Sequence, residues 1–520
     1  MKPETRAQRN WFVICAVCLA AYIAYITYLA GSKLFINKVQ TIAALLCFAA
    51  LSVGLYFFLT RACNRLAALP APKAEERCRW VFGAALVISL AVLGCAFAAC
   101  YPGGVNYDVA NQWQQAHSGE FNNWHPVFHT LLLWLVSRVR DSYPFVVAVQ
   151  IVVFSLALSY LTHVLHRSGV PAWLALCAHT LVCLSQPVRN PLMYAGKDAA
   201  MTIGIVVLCA QSIRLLYSRG RWLKNPWHAL AFGLLLAYTD LVRKNGMMWT
   251  LVLLVCVFFA YRACRRQTLL SAGVMAAVLL LVQGPLYGAL DVVYPSNFTE
   301  ESVGVPMTVL WDIRASEPDR LDPQADAFLR ELSPGDDWRE IYQLHNYNSI
   351  KFTYAREYMR DMPVGQIAGM ALRSAANAPR TAFEAVNGLT ELVWDISGQN
   401  KGYTPVGNGG QIGEAAYTNR RLNRLGQVAL DVLDAPMQWA PVRWLTQNIG
   451  VQMLLLLLVT LWSLRRSGAA SLTLAFPTLT YNLGTMALLC GNDARFFQFT
   501  MTISIASVLA LIYLPKEEEA

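Results

Sequence analysis

The sequence predicts an all-α polytopic membrane protein of about twelve transmembrane helices, with interfacial helices in its first long external loop and a mainly helical external domain. Three observations lead there. Apolar residues make up 56% of the 520-residue chain and charged residues 14%, against about 25% in ordinary soluble domains. The apolar residues gather in runs of roughly 18 to 25, the length that a helix rising about 1.5 Å per residue needs to cross some 30 Å of hydrocarbon. The basic loops between those runs fall on alternate turns of the chain, as the positive-inside bias requires. Lipid cannot satisfy backbone polar groups, so the runs must be helical, and the alternation of a membrane barrel is missing.

In chain order the spans fall at residues 11–30, 39–60, 80–100, 144–166, 171–186, 199–217, 226–242, 246–261, 268–286, 447–464, 469–489 and 496–514. Lys2, Arg6 and Arg9 precede the first and imitate a signal peptide, but the run is long and has no clear cleavage site, so it reads as an uncleaved span. The cytoplasmic set is the N-terminus, residues 61–79, the turn with Arg167, the group Arg219, Arg221 and Lys224, the group Arg262, Arg265 and Arg266, the pair Arg465 and Arg466, and the tail with Lys516. Both termini are then cytoplasmic, and the short loops without organelle signals suit a bacterial plasma membrane. The opposite face receives residues 101–143, 187–198, 243–245, 291–445 and 491–495. The chain divides into a two-span extension with a cytoplasmic loop (1–79), a transmembrane core (80–290), an external domain (291–445) and a three-span bundle with a short tail (446–520).

The external domain holds roughly 20 acidic against 14 basic residues, so it does not resist export as a basic loop would. Trp311, Trp338, Tyr342, Tyr347, Phe352, Tyr354, Tyr358 and Trp394 give it the apolar groups of an ordered fold. Residues 363–377 and 381–394 read as helices, and the glycine-rich stretch at 407–410 as a turn. The net charge of +10 is accounted for by topology, which leaves nucleic acid out of the set of partners. Thirteen cysteines, nearly all in or beside spans, imply neither a disulfide framework nor a thiolate metal site.

Candidate chemistry lies in the turns of the external face. Pro102, Gly103 and Gly104 force a turn after a span, and Asp108 follows on a short amphipathic helix, well sited as a general base. An ordinary helix-start carboxylate is the competing reading. His125 and Pro126 open a second amphipathic piece; His125 and His129 stand four apart, but the glutamate of a zinc helix is absent, so no metal ligand is assigned. Arg189, Lys197 with Asp198, Arg243 and Lys244 after Asp240, and Arg495 with Asp493 place cations against the positive-inside bias. Several cations on one face near the headgroups suit a lipid phosphate or diphosphate, while snorkelling explains any one of them singly.

At these residues the chain resembles the GT-C superfamily of membrane glycosyltransferases, which includes protein mannosyltransferases and aminoarabinose transferases. Asp108 looks like the acidic residue of that superfamily's first external loop, and WHPVFHTLL at 124–132 like its signature of interfacial helices. YPGG with Asp108, the His125-Pro126 element, KDAAM at 197–201, VRKNG at 242–246 and NDARFFQF at 492–499 look similar to an uncharacterised family of bacterial multipass proteins, itself likened to GT-C. The chain departs from the pattern in its two spans before Trp80 and in a single Asp108 without an acidic neighbour.

The resemblance implies a polyprenyl-phosphate sugar donor and a glycan, lipid or protein acceptor. Asp108 would act as base in an inverting transfer that is metal-independent or weakly metal-dependent, with a divalent metal left open and no other cofactor. Arg189, Lys197, Arg243, Lys244 and Arg495 would stabilise the departing phosphate, with His125, Asp198 and Asp493 in support. Glu300 and Glu301, with Trp311, Trp338 and Tyr342, would line the acceptor side; ordinary packing is the alternative for the aromatics. Three rivals stand beside it. A polysaccharide polymerase or ligase would rest on Arg314, His345 and Arg356. A transporter or flippase would use Asp240, Arg243 and Lys244 as intramembrane charges, and a non-catalytic anchoring protein is the blandest case.

Overall fold

The computed structural model describes residues 38–69, 80–295, 299–335, 337–351, 353–354, 358–359, 362–396, 406 and 424–514. The expected span at 11–30, the turn at 407–410, Phe352, Arg356 and the tail with Lys516 lie outside these residues. Among the described residues every named element is helical, and pairing of strand type is confined to two isolated bridges, Asn122 with Val293 and Gln343 with Asn346.

Among the described residues five helices are long and apolar enough to cross a membrane: Trp80–Ala99, Tyr143–Arg167, Lys197–Tyr217, Arg262–Ala289 and Ala494–Tyr513. A sixth is reached if Ala440–Gln447 and Ile449–Leu464, bent by 75° at Asn448, form one broken span. These mark the chain as a membrane protein. They are fewer than the twelve runs read from hydropathy, of which that at 11–30 lies outside the described residues and those at 171–186 and 246–261 form shorter helices. Ala172–Leu184 has 13 residues, about 20 Å of helix, because Pro171 starts it and Pro187 opens a separate piece, Gln186–Leu192. Gly246–Ala260 has 15 residues and stops at a non-helical Tyr261. Lys38–Ala67, over the expected second span, runs for 30 residues.

The chain forms two compact units. The first takes in the described parts of residues 1–293, 395–480 and 495–520; the second, of 294–394 and 481–494. The expected external domain reached to 445, yet Arg424–Gln438 packs against Trp80–Ala99 and Ala172–Leu184 in the first unit.

In the first unit, Lys197–Tyr217 is the most enclosed of the long helices, with 89% of its apolar window buried. It packs on Tyr143–Arg167, Pro226–Val242 and Gln498–Tyr513. Lipid removes the hydrophobic drive between helices, so close backbone approach must supply attraction. Gly233 shows how: a Cβ there would lie 2.5 Å from the Ser271 carbonyl oxygen. Ser271 in turn donates its hydroxyl to the Ala229 carbonyl at 2.8 Å. The buried indole of Trp249 likewise donates to Thr478 Oγ1 at 3.1 Å.

The second unit is an ordinary aqueous-type core. Helices Gly304–Ser316, Pro323–Leu332, Val364–Asn377 and Pro379–Thr390 enclose Trp311, Phe328, Trp338 and Tyr347. The last two helices lie where residues 363–377 and 381–394 were expected. Trp311 and Trp338 are almost wholly buried, so they are core groups and do not line an acceptor surface. Arg314 lies over both indoles, at 5.0 and 4.8 Å, and donates to the Leu329 carbonyl and Ser333 hydroxyl. It is a satisfied core cation, and the polymerase reading loses it.

Candidate functional site

Two glycines place the carboxylate. Gly103 has φ of 104°, which costs little only without a Cβ, and a Cβ would sit 2.8 Å from the Met193 carbonyl oxygen. Gly104 N–H donates to that same oxygen at 2.9 Å. The Tyr143 hydroxyl donates to the Gly104 carbonyl at 2.5 Å and accepts from Ala195 N–H at 3.2 Å, fastening the two segments to one phenol. Asn106 then caps helix Tyr107–Ser118 through Val109 N–H, and Asp108 falls in its first turn, where the helix dipole favours a carboxylate. Lys197 begins the next long helix two residues after Ala195.

The result is a charged cluster within the first unit. Lys197 Nζ lies 3.0 Å from Asp108 Oδ2 and 2.8 Å from His125 Nδ1. Arg495 Nη1 lies 3.4 Å from the same Asp108 oxygen, although 387 residues separate the two in sequence. His125 Nε2 faces Asp108 Oδ1 at 3.7 Å. Asp198 pairs with Arg243 and lies 3.9 Å from Arg495 Nε. Both guanidinium groups lie over the ring of Phe496, Arg243 at 4.7 Å and Arg495 at 5.4 Å. Lys244 Nζ donates to the Asn123 carbonyl at 2.7 Å and so holds the strand of chain that leads to His125. Asp240 accepts from Thr250 at 2.7 Å and anchors the turn that carries Arg243 and Lys244.

Burial by itself would raise the Asp108 carboxyl, but the charges of Lys197 and Arg495 outweigh it and hold the group well below the ordinary carboxylate range. Burial and the neighbouring Lys197 push His125 down to about 3, so its imidazole is neutral near pH 7. Because the Lys197 ammonium donates to Nδ1, the ring proton sits on Nε2, toward Asp108. Burial, then the charge of Lys197, lowers Lys244 as well. With His125 neutral, Lys197, Arg243 and Arg495 outnumber Asp108 and Asp198 by one charge, and Lys244 adds to the excess. An anion is therefore drawn to the cluster.

The fold thus gathers Asp108, His125, Lys197, Asp198, Arg243 and Arg495, with Lys244 bracing the His125 segment. Arg189 does not join them. It is buried against Asp434, Nη2 to Oδ1 at 2.6 Å, and Gln186 donates to the other oxygen of Asp434 at 2.7 Å. Glu300, Glu301 and Asp493 belong to the second unit, where Glu301 pairs with Lys351 at 2.5 Å. His129 is buried, with Nδ1 3.2 Å from Gln112 Oε1, so the two histidines of that helix start have different partners. Sequence reasoning missed Phe496, which is uncharged but follows Arg495 directly, and the backbone oxygen of Asn123, which no side-chain pattern discloses.

Comparison with protein-family models finds none that matches the chain, and comparison with curated proteins finds no match either. The chain is a helical membrane protein with a carboxylate inside a cationic cluster at the starts and ends of helices. Such a cluster can bind a phosphate through its cations while the carboxylate orients a hydroxyl.

Proposed function

We propose that the protein is a membrane glycosyltransferase of GT-C type, moving a sugar from a polyprenyl-phosphate donor to an acceptor hydroxyl on the extracytoplasmic face of a bacterial plasma membrane. The reading includes twelve spans with both termini cytoplasmic. It rests on one observation above all: Asp108, Lys197 and Arg495 share contacts at 3.0 and 3.4 Å.

In the transfer, the acceptor oxygen bonds to the anomeric carbon as the bond to the phosphate oxygen breaks on the opposite side. The phosphate leaves with the electron pair, and the acceptor proton passes to Asp108. An ion-paired carboxylate is a weak base. Donor phosphate resolves this by drawing Lys197 and Arg495 toward itself, which loosens their hold on Asp108 and raises its basicity only when the donor is bound. Arg243, kept in place by Asp198 and Phe496, adds charge to the same end.

The test is transfer of label from lipid-linked sugars in native lipid extract, with purified chain. Asp108→Asn, which keeps size and most hydrogen bonding, is expected to lose at least about 100-fold in rate, the usual worth of a general base. Asp141→Asn, which alters only the exposed pair with His117, is the control expected to keep activity. Undiminished transfer by Asp108→Asn would sink the reading and favour the polymerase or ligase class.

A further inference from the structure

Helix Arg424–Gln438 of the first unit is apolar over a wider arc than the protein covers. It packs on Trp80–Ala99 and Ala172–Leu184, and Gly426, Leu430, Leu433 and Met437, one helical turn apart, are its shielded positions. Its rotation is fixed by Asp434, which accepts from Arg189 at 2.6 Å and from Gln186 at 2.7 Å. A second apolar stripe runs beside the first: Leu425, Val428 and Val432 are 80, 52 and 65% exposed. Arg424, Gln427, Asp431 and Gln438 fill the remaining arc, where Gln427 donates to Asp431 at 2.8 Å. A helix between a core and water needs an apolar stripe of only about 100°. Here protein occupies one such stripe, and its neighbour stays open.

The chain that follows shows where this helix lies. Helix Ala440–Gln447 meets Ile449–Leu464 at a 75° bend, and Ile449–Ser467 packs on the apolar helix Gln498–Tyr513 of the spanning set. The bend is held by three bonds. Asn448 Oδ1 accepts from Val451 N–H at 2.9 Å, Gln452 donates to the Leu445 carbonyl at 3.1 Å, and Ser185 donates to the Thr446 carbonyl at 2.9 Å. Backbone groups beyond the reach of water have to be satisfied in this way. Spans tilt by about 20° on average from the bilayer normal, so a helix at 75° to one lies near the bilayer plane. Trp439, Arg443 and Trp444 are exposed at this level, and aromatic and basic residues concentrate at headgroups.

We propose that residues 424–447 form an amphipathic segment bound in the membrane interface, with Leu425, Val428 and Val432 against phospholipid acyl chains and Trp439, Arg443 and Trp444 among the headgroups. Lipid is the occupant because of what lies beneath: Trp80–Ala99 has only 28% of its apolar window buried, so it is a lipid-facing span, and a helix docked on it shares its solvent. The segment then belongs to the bilayer and not to the external domain that its polarity suggests. This holds whether or not sugar is transferred at Asp108.

The test uses the full chain reconstituted in dioleoylphosphatidylcholine vesicles. The photoreactive residue p-benzoylphenylalanine replaces, in separate variants, Gln427, Val428, Asp431 and Val432, all of them exposed, and Val87 of Trp80–Ala99 as the reference for a span. After irradiation, phospholipid adducts are measured by peptide mass spectrometry. Yields at Val428 and Val432 are expected to approach that at Val87 and to exceed those at Gln427 and Asp431 several-fold. Equal yields at the four helix positions, or none at Val428 and Val432, would overturn the proposal, as would adducts there to a second copy of the chain. The same adducts are expected in an Asp108→Asn background, so failure of transfer and failure of lipid contact are separately visible.

Discussion

Asp108 in the first unit and Asp312 in the second are the same chemical group given contrary surroundings. Asp108 is met by the ammonium of Lys197 and the guanidinium of Arg495, and its proton affinity is driven down. Asp312 is met by the imidazole and backbone N–H of His345 and by the phenol of Tyr342, all of which are neutral or titratable, and it raises His345 above the ordinary histidine value against the effect of burial. The first arrangement stores charge; the second holds a proton. Environment assigns the role, as in enzymes that use paired carboxylates for different tasks.

The hardest blow to the first arrangement is Lys197→Met. Removing one electrostatic donor from a transition state typically costs about 100-fold or more in rate, and label transfer should fall by that order. Next comes Arg189→Ala, which separates a structural cation from the functional ones. It strips the partner from Asp434 in a largely buried pair, and the expected loss is roughly 3 kcal/mol of stability in chemical unfolding, with transfer per folded molecule retained.

A subtler effect tests the second arrangement. His345 has its proton affinity raised by folding, so the Asp312 contact contributes stability that is complete below the ordinary histidine value of about 6.5 and is lost as pH rises through the raised one. Unfolding followed by tryptophan fluorescence should therefore show the second unit weakening across that window, and Asp312→Asn should flatten the slope and lower the His345 titration seen by NMR. The smallest effect belongs to Arg330→Ala, which removes an exposed pair with Asp326 one helical turn away and should cost under about 0.5 kcal/mol.

The helical class was legible because hydropathy is a property of runs, and the helices of residues 107–118, 127–139 and 364–377 lie close to where composition and turn residues placed them. The cluster was partly legible for a different reason: on the topology read from hydropathy its cations run against the positive-inside bias, and that anomaly marks Lys197, Arg243 and Arg495 without any structure. Arg189 shares the anomaly but answers to Asp434, 245 residues away, and nothing local announces such a partner. The ends marked by Pro171 and Pro187 were legible, since the span read at 171–186 is the helix Ala172–Leu184, whereas the 75° bend at Asn448 has no proline to announce it. The limit of the second unit escaped because residues 424–438 are polar enough to read as external yet carry an apolar stripe that docks on spans.

The phenol of Tyr143 holds a further implication. It stands at the first residue of a 25-residue helix and grips the chain on either side, at Gly104 and at Ala195. Tilt or vertical drift of that helix in a fluctuating bilayer therefore carries both gripped segments along as one body. The segments that lead to Asp108 and to Lys197 are thus suspended from a single shared pivot.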